Sequence, residues 1–273
     1  VEKKRVERIG IYCFALSYAA ALGLELLHQF RPRPVLRLLS LGFGAAGFVA
    51  QTIYLAVWRP PLSWQFGWML LLAWILAVFY LYGSIHHRRL AWGVFVLPLV
   101  LVLVGLAAAS PRPPAEAEWF NPEEQTLWSV LHAGLLFLAA VGVCVGFLAS
   151  LMYLVQARRL RTKKLPGHGL RLLSLERLEA MNRRAIILAF PLLTAGMLIG
   201  AVLLLHSAEH LSGWTDPRVL ATAVLWLTFA VLLYLRYGAN ARGSRVAVWT
   251  IVAFVLLLGC LALPHLGGQG GWR

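Results

Sequence analysis

Residues 127–155 read LWSVLHAGLLFLAAVGVCVGFLASLMYLV, a run without a single Asp, Glu, Lys or Arg. A spanning helix needs roughly 20 mainly apolar residues, and this run exceeds that length. Inside hydrocarbon every backbone N–H and C=O must be paired within its own element, which leaves helices or a closed barrel. Barrel strands alternate apolar and polar side chains at period two, and this run does not alternate. It therefore reads as a transmembrane helix, and the basic stretch that follows it, QARRLRTKK at 156–164, is the flank expected where a span leaves the bilayer.

Outward from this segment the pattern repeats. Apolar windows fall at about 9–28, 36–57, 65–85, 90–109, 127–155, 185–205, 219–235 and 246–264. Punctuation residues cluster between them, as at Arg31-Pro32-Arg33-Pro34, Arg59-Pro60-Pro61, Pro111-Arg112-Pro113-Pro114 and Gly238 to Ser244. The sequence predicts an all-α integral membrane protein with about eight transmembrane helices. Residues 1–115 form an N-terminal four-helix half, and residues 116–273 a second half with a basic loop at 157–184. The first window follows Lys3, Lys4 and Arg5, and Ala19-Ala20-Ala21 offers a cleavage site. The apolar run continues to Leu27, longer than a signal core, so a retained helix is expected.

Composition agrees. Of 273 residues, 60% are hydrophobic and 13% charged, about half the charged share of a soluble domain. The net charge of +14 does not indicate nucleic acid, because the basic residues sit in loops between apolar runs rather than on one soluble face. Cys13, Cys144 and Cys260 lie singly in apolar windows, without metal-ligand spacing, and read as packing residues.

Lys and Arg counts orient the chain. One side of the membrane receives seventeen: three at Arg31–Arg37, two at Arg88 and Arg89, nine between Arg158 and Arg184, and three from Arg236 to Arg245. The other receives eight, four of them Lys3, Lys4, Arg5 and Arg8. The richer side is expected to be cytoplasmic in a bacterial inner membrane, which sets the basic N-terminus outside, against its local charge. Gly142/Gly146 and Gly196/Gly200 are spaced for close helix packing, and Leu175-Glu176-Arg177-Leu178-Glu179 reads as an amphipathic patch able to lie on anionic headgroups.

The eight histidines are the abundant metal-ligand type. His28, His86, His87 and His168 fall on the basic side beside arginines or loops and read as solvated interfacial residues. His132, His206, His210 and His265 fall on the other side. His132 lies among apolar neighbours, where a neutral imidazole needs a partner, and His265 follows Pro264 at the end of the last window. Two imidazoles from different helices at one membrane face can clamp a metal macrocycle, although from spacing alone interfacial histidines bonded to water are the better reading. In the intervening loop, Trp214 can stack on a porphyrin and Arg218 can pair with a propionate. Trp214 also fits an interfacial belt, and Asp216 fits an N-cap with Pro217 in the first turn.

These residues resemble the cytochrome c assembly family of haem-handling membrane proteins, which includes CcsA, CcmC and HemX-type members. Residues 129–164 resemble the family segment that begins with an external haem-ligand histidine, here His132, and ends in basic residues. Leu175-Glu176-Arg177-Leu178 and Ala189-Phe190-Pro191-Leu192-Leu193-Thr194, with the paired glycines after it, resemble the next family helix. The external tryptophan-rich motif is similar only as Trp214-Thr215-Asp216-Pro217-Arg218, with Thr215 and Val219 departing from it, and Trp226 matches a tryptophan in the following helix. At the inner end of that helix Tyr234 stands where haem-translocating members carry histidine. His265 would be the second external ligand.

The resemblance, over about 128–266, implies a haem-binding protein that presents or escorts haem at the outer face in c-type cytochrome maturation, a haem-handling component more than an enzyme, with enzymatic activity left open. It implies bis-histidine ligation by His132 and His265, with Trp214, Asp216 and Arg218 around the haem, and an assembly partner or apocytochrome c as recipient. The weakened motif resembles the short HemX-type branch, for which the alternative is a regulatory or scaffold subunit without haem. A secondary transporter is disfavoured, since ionisable residues other than Glu25 are nearly absent from the windows.

Overall fold

Long apolar runs bounded by Pro, Gly and Arg become helices in the computed structural model, which describes residues 10–60, 65–86, 91–110, 126–162, 172–206, 215–239 and 243–262. The described regular structure is entirely helical: α1 (Ile11–Phe30), α2 (Pro34–Trp58), α3 (Gln65–His86), α4 (Gly93–Ala109), α5 (Leu127–Arg161), α6 (Leu175–His206), α7 (Pro217–Leu233) and α8 (Ser244–Ala262). Seven are long and apolar enough to cross a membrane. The exception, α4, has 17 residues, about 26 Å of helix, at the lower limit for a span. The apolar windows thus become helices one for one.

The helices form two compact units, one built on α1 to α4 and the other on α5 to α8. In the first, α4 is apolar on every face and buries Val96, Leu97, Val100 and Leu103 completely, as a helix without a polar face must. It packs against α1 and α3. Polar side chains lock the neighbours: the Tyr18 hydroxyl donates to Gln51 Oε1 at 2.7 Å, Gln51 Nε2 donates to the Leu70 carbonyl at 3.1 Å, and Ser40 Oγ donates to the Ala21 carbonyl at 3.0 Å. Each bond joins two helices, and none could be traded for water in hydrocarbon.

In the second unit α5 packs on α6, α6 on α7, α7 on α8 and α8 back on α5. The α5–α6 seam is antiparallel and made of small residues. A Cβ on Gly142 would stand 3.0 Å from that of Ala189, and one on Gly196 would stand 2.7 Å from Leu136. Four polar and aromatic contacts close the ring. Trp226 Nε1 on α7 donates to Thr194 Oγ1 on α6 at 2.9 Å, while Trp226 stacks on Phe190. Phe147 stacks on Phe254 at 3.9 Å between α5 and α8, and Thr222 Oγ1 meets Cys260 Sγ at 3.4 Å between α7 and α8. Leu188, Leu198, Val202 and Leu205 of α6 face outward, a surface suited to lipid chains rather than water.

The basic loop is shorter than the expected 157–184. Helix α5 continues through Arg161 and α6 begins at Leu175, because arginines end hydrophobicity without ending a helix. The patch Leu175 to Glu179, read as able to lie on headgroups, is the first turns of α6, and Leu178 is fully buried.

Candidate functional site

Four histidines are described, and their hydrogen bonds separate them. His28 Nδ1 meets the Arg33 carbonyl at 3.1 Å, His86 Nδ1 meets the Tyr82 carbonyl at 3.1 Å, and His206 Nδ1 meets the Val202 carbonyl at 2.8 Å. All three bonds are local and exposed, as expected of interfacial residues. His132 is different: from the second turn of α5 its Nδ1 reaches the Gly196 carbonyl on α6 at 2.7 Å, in a partly buried setting.

That bond fixes the chemistry of the ring. A carbonyl oxygen can only accept, so Nδ1 is the donor in this bond and Nε2 is the nitrogen it leaves unengaged. Metal-ligating histidines take this arrangement, with one nitrogen donating to a carbonyl and the other facing the metal. The ring lies on the bare backbone of Gly200, where a Cβ would come 2.5 Å from His132 Cε1. The paired glycines of α6 therefore supply both the seam and the cradle for the imidazole.

The same end of the unit carries the start of α7. Asp216 occupies the N-cap position before Pro217, and its backbone carbonyl accepts from the Leu220 N–H at 3.1 Å. Arg218 lies in the first turn of α7. The Thr222–Cys260 contact brings the end of α8 to this end as well, and α8 finishes at Ala262. Trp214, His210 and His265 lie outside the described residues, so the proximity of His265 to His132 is not among the described contacts. Among the described residues no three His, Cys, Asp or Glu side chains are grouped to hold a metal, and Cys13, Cys144 and Cys260 form no disulfide. The residues present fit a haem iron in one respect, an imidazole oriented through Nδ1.

At the opposite, basic end, α7 passes into a π turn, Tyr234–Gly238. Tyr234 is exposed. Sequence reading missed a buried polar cluster nearby: Asn182 Nδ2 donates to Ser150 Oγ at 2.5 Å and to Thr250 Oγ1 at 3.4 Å, tying α5, α6 and α8 together. Its signal in the sequence is an amide lodged between apolar positions and the Arg183-Arg184 pair. The ion pair Glu179–Arg236, 3.3 Å, was missed too, because its partners lie on different helices.

Fold and site together define a multi-pass helical membrane protein whose second unit presents one oriented imidazole near a helix end. The family profile described as "Cytochrome C assembly protein" matches residues 62–263, and the chain belongs to that family. Similar proteins include the cytochrome c biogenesis protein CcsA of Chlamydomonas reinhardtii, 25% identical over 83% of this chain and 65% of its own length. The CcsA of Synechococcus elongatus is 26% identical over 78% of this chain and 79% of its own. That of Synechococcus sp. (strain JA-3-3Ab) is 26% identical over 94% and 93%. The chain thus spans just under two thirds of the Chlamydomonas protein and nearly all of the last. No solved structure matches it. These relatives carry the CcsA name; placement on the HemX-type branch rests on the sequence motif alone.

Proposed function

We propose that this protein takes part in c-type cytochrome maturation by holding haem at the His132 end of its second unit, for delivery to an assembly partner or apocytochrome c. The observation that carries the reading is the 2.7 Å bond from His132 to the Gly196 carbonyl, which orients the ring and leaves Nε2 free to ligate. Haem bound there supplies an iron with two axial positions, for which His132 and His265 are the proposed ligands. Trp214 would cover the porphyrin, Arg218 would pair with a propionate, and Asp216 would hold the start of α7 in register. Family membership supports the pathway.

On this reading the His132 end faces outward and the arginine-rich end faces the cytoplasm of a bacterial inner membrane. Residues 1–115 form a separate four-helix membrane half. Absorbance of the detergent-purified protein tests the proposal: a Soret band is expected, falling severalfold in His132→Ala and in His265→Ala. Unchanged haem content in both variants would end it. The second reading, a HemX-like regulatory or scaffold subunit without haem, is favoured by the exposed tyrosine at position 234; haem-free protein from haem-replete cells, with a co-purifying partner, would select it.

A further inference from the structure

Each unit contains the same three-residue clasp. In the second, Thr194 Oγ1 donates to the Phe190 carbonyl at 2.8 Å and accepts from Trp226 Nε1 at 2.9 Å, while the Phe190 and Trp226 rings stack at 5.7 Å. In the first, Thr52 Oγ1 donates to the Phe48 carbonyl at 2.7 Å and accepts from Trp74 Nε1 at 2.8 Å, while Phe48 and Trp74 stack at 5.5 Å. Each clasp ties a helix to the next, α6 to α7 and α2 to α3. The difference lies between the phenylalanine and the threonine. In α2 the three residues are Val49, Ala50 and Gln51, and Gln51 adds a second tie to α3 through the Leu70 carbonyl. In α6 they are Pro191, Leu192 and Leu193, whose side chains offer no polar atom for a second tie, and Pro191 stands inside the helix.

Proline has no N–H, so the Ile187 carbonyl loses its ladder donor, and the pyrrolidine ring presses on that carbonyl. A helix pivots most readily at such a point. Gly196 and Gly200, which seat the His132 ring, lie just beyond it. The Gly196 carbonyl takes His132 Nδ1 at 2.7 Å, and the ring rests so closely on Gly200 that a Cβ there would come 2.5 Å from Cε1. Hydrogen bonds weaken steeply as their angle opens, so a small pivot of α6 about Pro191 would spoil this one. Phe190 and Thr194 stand on either side of Pro191, and both hold the same indole of α7. We propose that Thr194 and Trp226 are positioning residues for the His132 imidazole: together they splint α6 across Pro191 and keep the Gly196 carbonyl aimed at Nδ1. The use of that orientation, haem ligation, rests on the function proposed above; the splint itself does not.

Thr194→Val in the full-length protein tests the splint, because valine keeps the shape of threonine and removes the acceptor. Thr52→Val makes the same change in the first unit and is the matched control. Nuclear magnetic resonance of haem-free protein, labelled with heavy nitrogen at histidine and held at mildly alkaline pH, reads the ring directly, with His132→Ala assigning the signals. Wild-type His132 should show a protonated Nδ1 and a bare Nε2. Thr194→Val should move both nitrogens toward the average of the two tautomers, and Thr52→Val should leave them in place. After loading with haem, Thr194→Val should retain severalfold less than the wild type, and Thr52→Val as much. A wild type with the expected ring that binds no haem would end the haem reading and leave the splint standing. An averaged ring in the wild type, an unmoved ring in Thr194→Val, or equal displacement in Thr194→Val and Thr52→Val overturns the splint. Should Thr194→Val not purify, Trp226→Phe, which keeps a stacking ring and removes the N–H, is read against Trp74→Phe by the same outcomes.

Discussion

One hydrogen bond separates His132 from the other described histidines, and its acceptor is a backbone atom. The Gly196 carbonyl carries two lone pairs, and the one left over from the α6 ladder takes the imidazole N–H. His132 is visible in the sequence because an imidazole in an apolar run needs a partner, but a carbonyl leaves no trace in composition, so the partner is not. Gly200 is legible as half of a small-residue pair and illegible as a seat for the ring, since both uses ask for the same missing side chain. Gly200→Ala tests the seat. Its Cβ would meet His132 Cε1 at 2.5 Å and Nδ1 at 2.9 Å, so the ring must move and the bond to Gly196 must lengthen. The variant should lose about 1–3 kcal/mol of stability in a detergent unfolding assay. Gly105→Ala, where nothing lies within 4 Å, should be close to neutral. Equal behaviour of the two would mean that the ring does not rest on α6.

Hydropathy locates each helix core but misplaces its ends. Window 127–155 becomes a helix that continues through Arg161, and window 185–205 one that starts at Leu175. Arg, Leu and Glu are good helix formers whether or not lipid surrounds them, so the sequence marks the limit of the bilayer while the backbone ladder runs past it. The stretch Leu175 to Glu179 has the composition of a surface-lying helix, and only packing distinguishes that from the first turns of a span. Leu178 decides the matter: it is fully buried within the unit. Leu178→Ala should therefore cost about 2–5 kcal/mol, the range for emptying a packed site, read as a lower midpoint in thermal or denaturant unfolding. A leucine resting on headgroups would lose membrane affinity on truncation and leave the unfolding midpoint where it was. The Phe190-Pro191-Leu192-Leu193-Thr194 stretch acquires a physical role at this scale as well, because Phe190 and Thr194 together grip Trp226 of α7.

For the molecule as a whole, the number and order of helices are legible because each is an apolar run with its own boundaries, whereas orientation depends on a competition among loops. In the second half the competition is one-sided: nine Lys and Arg between Arg158 and Arg184 and three from Arg236 to Arg245 stand against Arg218 and Arg273. In the first half it is nearly balanced. Arg31, Arg33, Arg37, Arg88 and Arg89 oppose Arg59, Arg112 and the four basic residues at the N-terminus. Basic residues within about 15–20 residues of a span resist translocation, and short loops obey this most strictly. The second half should therefore set the orientation, and the N-terminal charges should be carried to the outer side in spite of themselves. Green fluorescent protein fused after residue 168 should fluoresce and alkaline phosphatase fused there should be inactive, with the opposite pair of results after residue 115. Changing Lys3, Lys4, Arg5 and Arg8 together to Gln should leave that pattern intact, because it removes charges that oppose it. Changing Arg158, Arg159, Arg161, Lys163 and Lys164 to Gln should produce a mixed population, with phosphatase activity appearing after residue 168. Phosphatase activity at that position in the unaltered protein would reverse the orientation, and the His132 end would then face the cytoplasm.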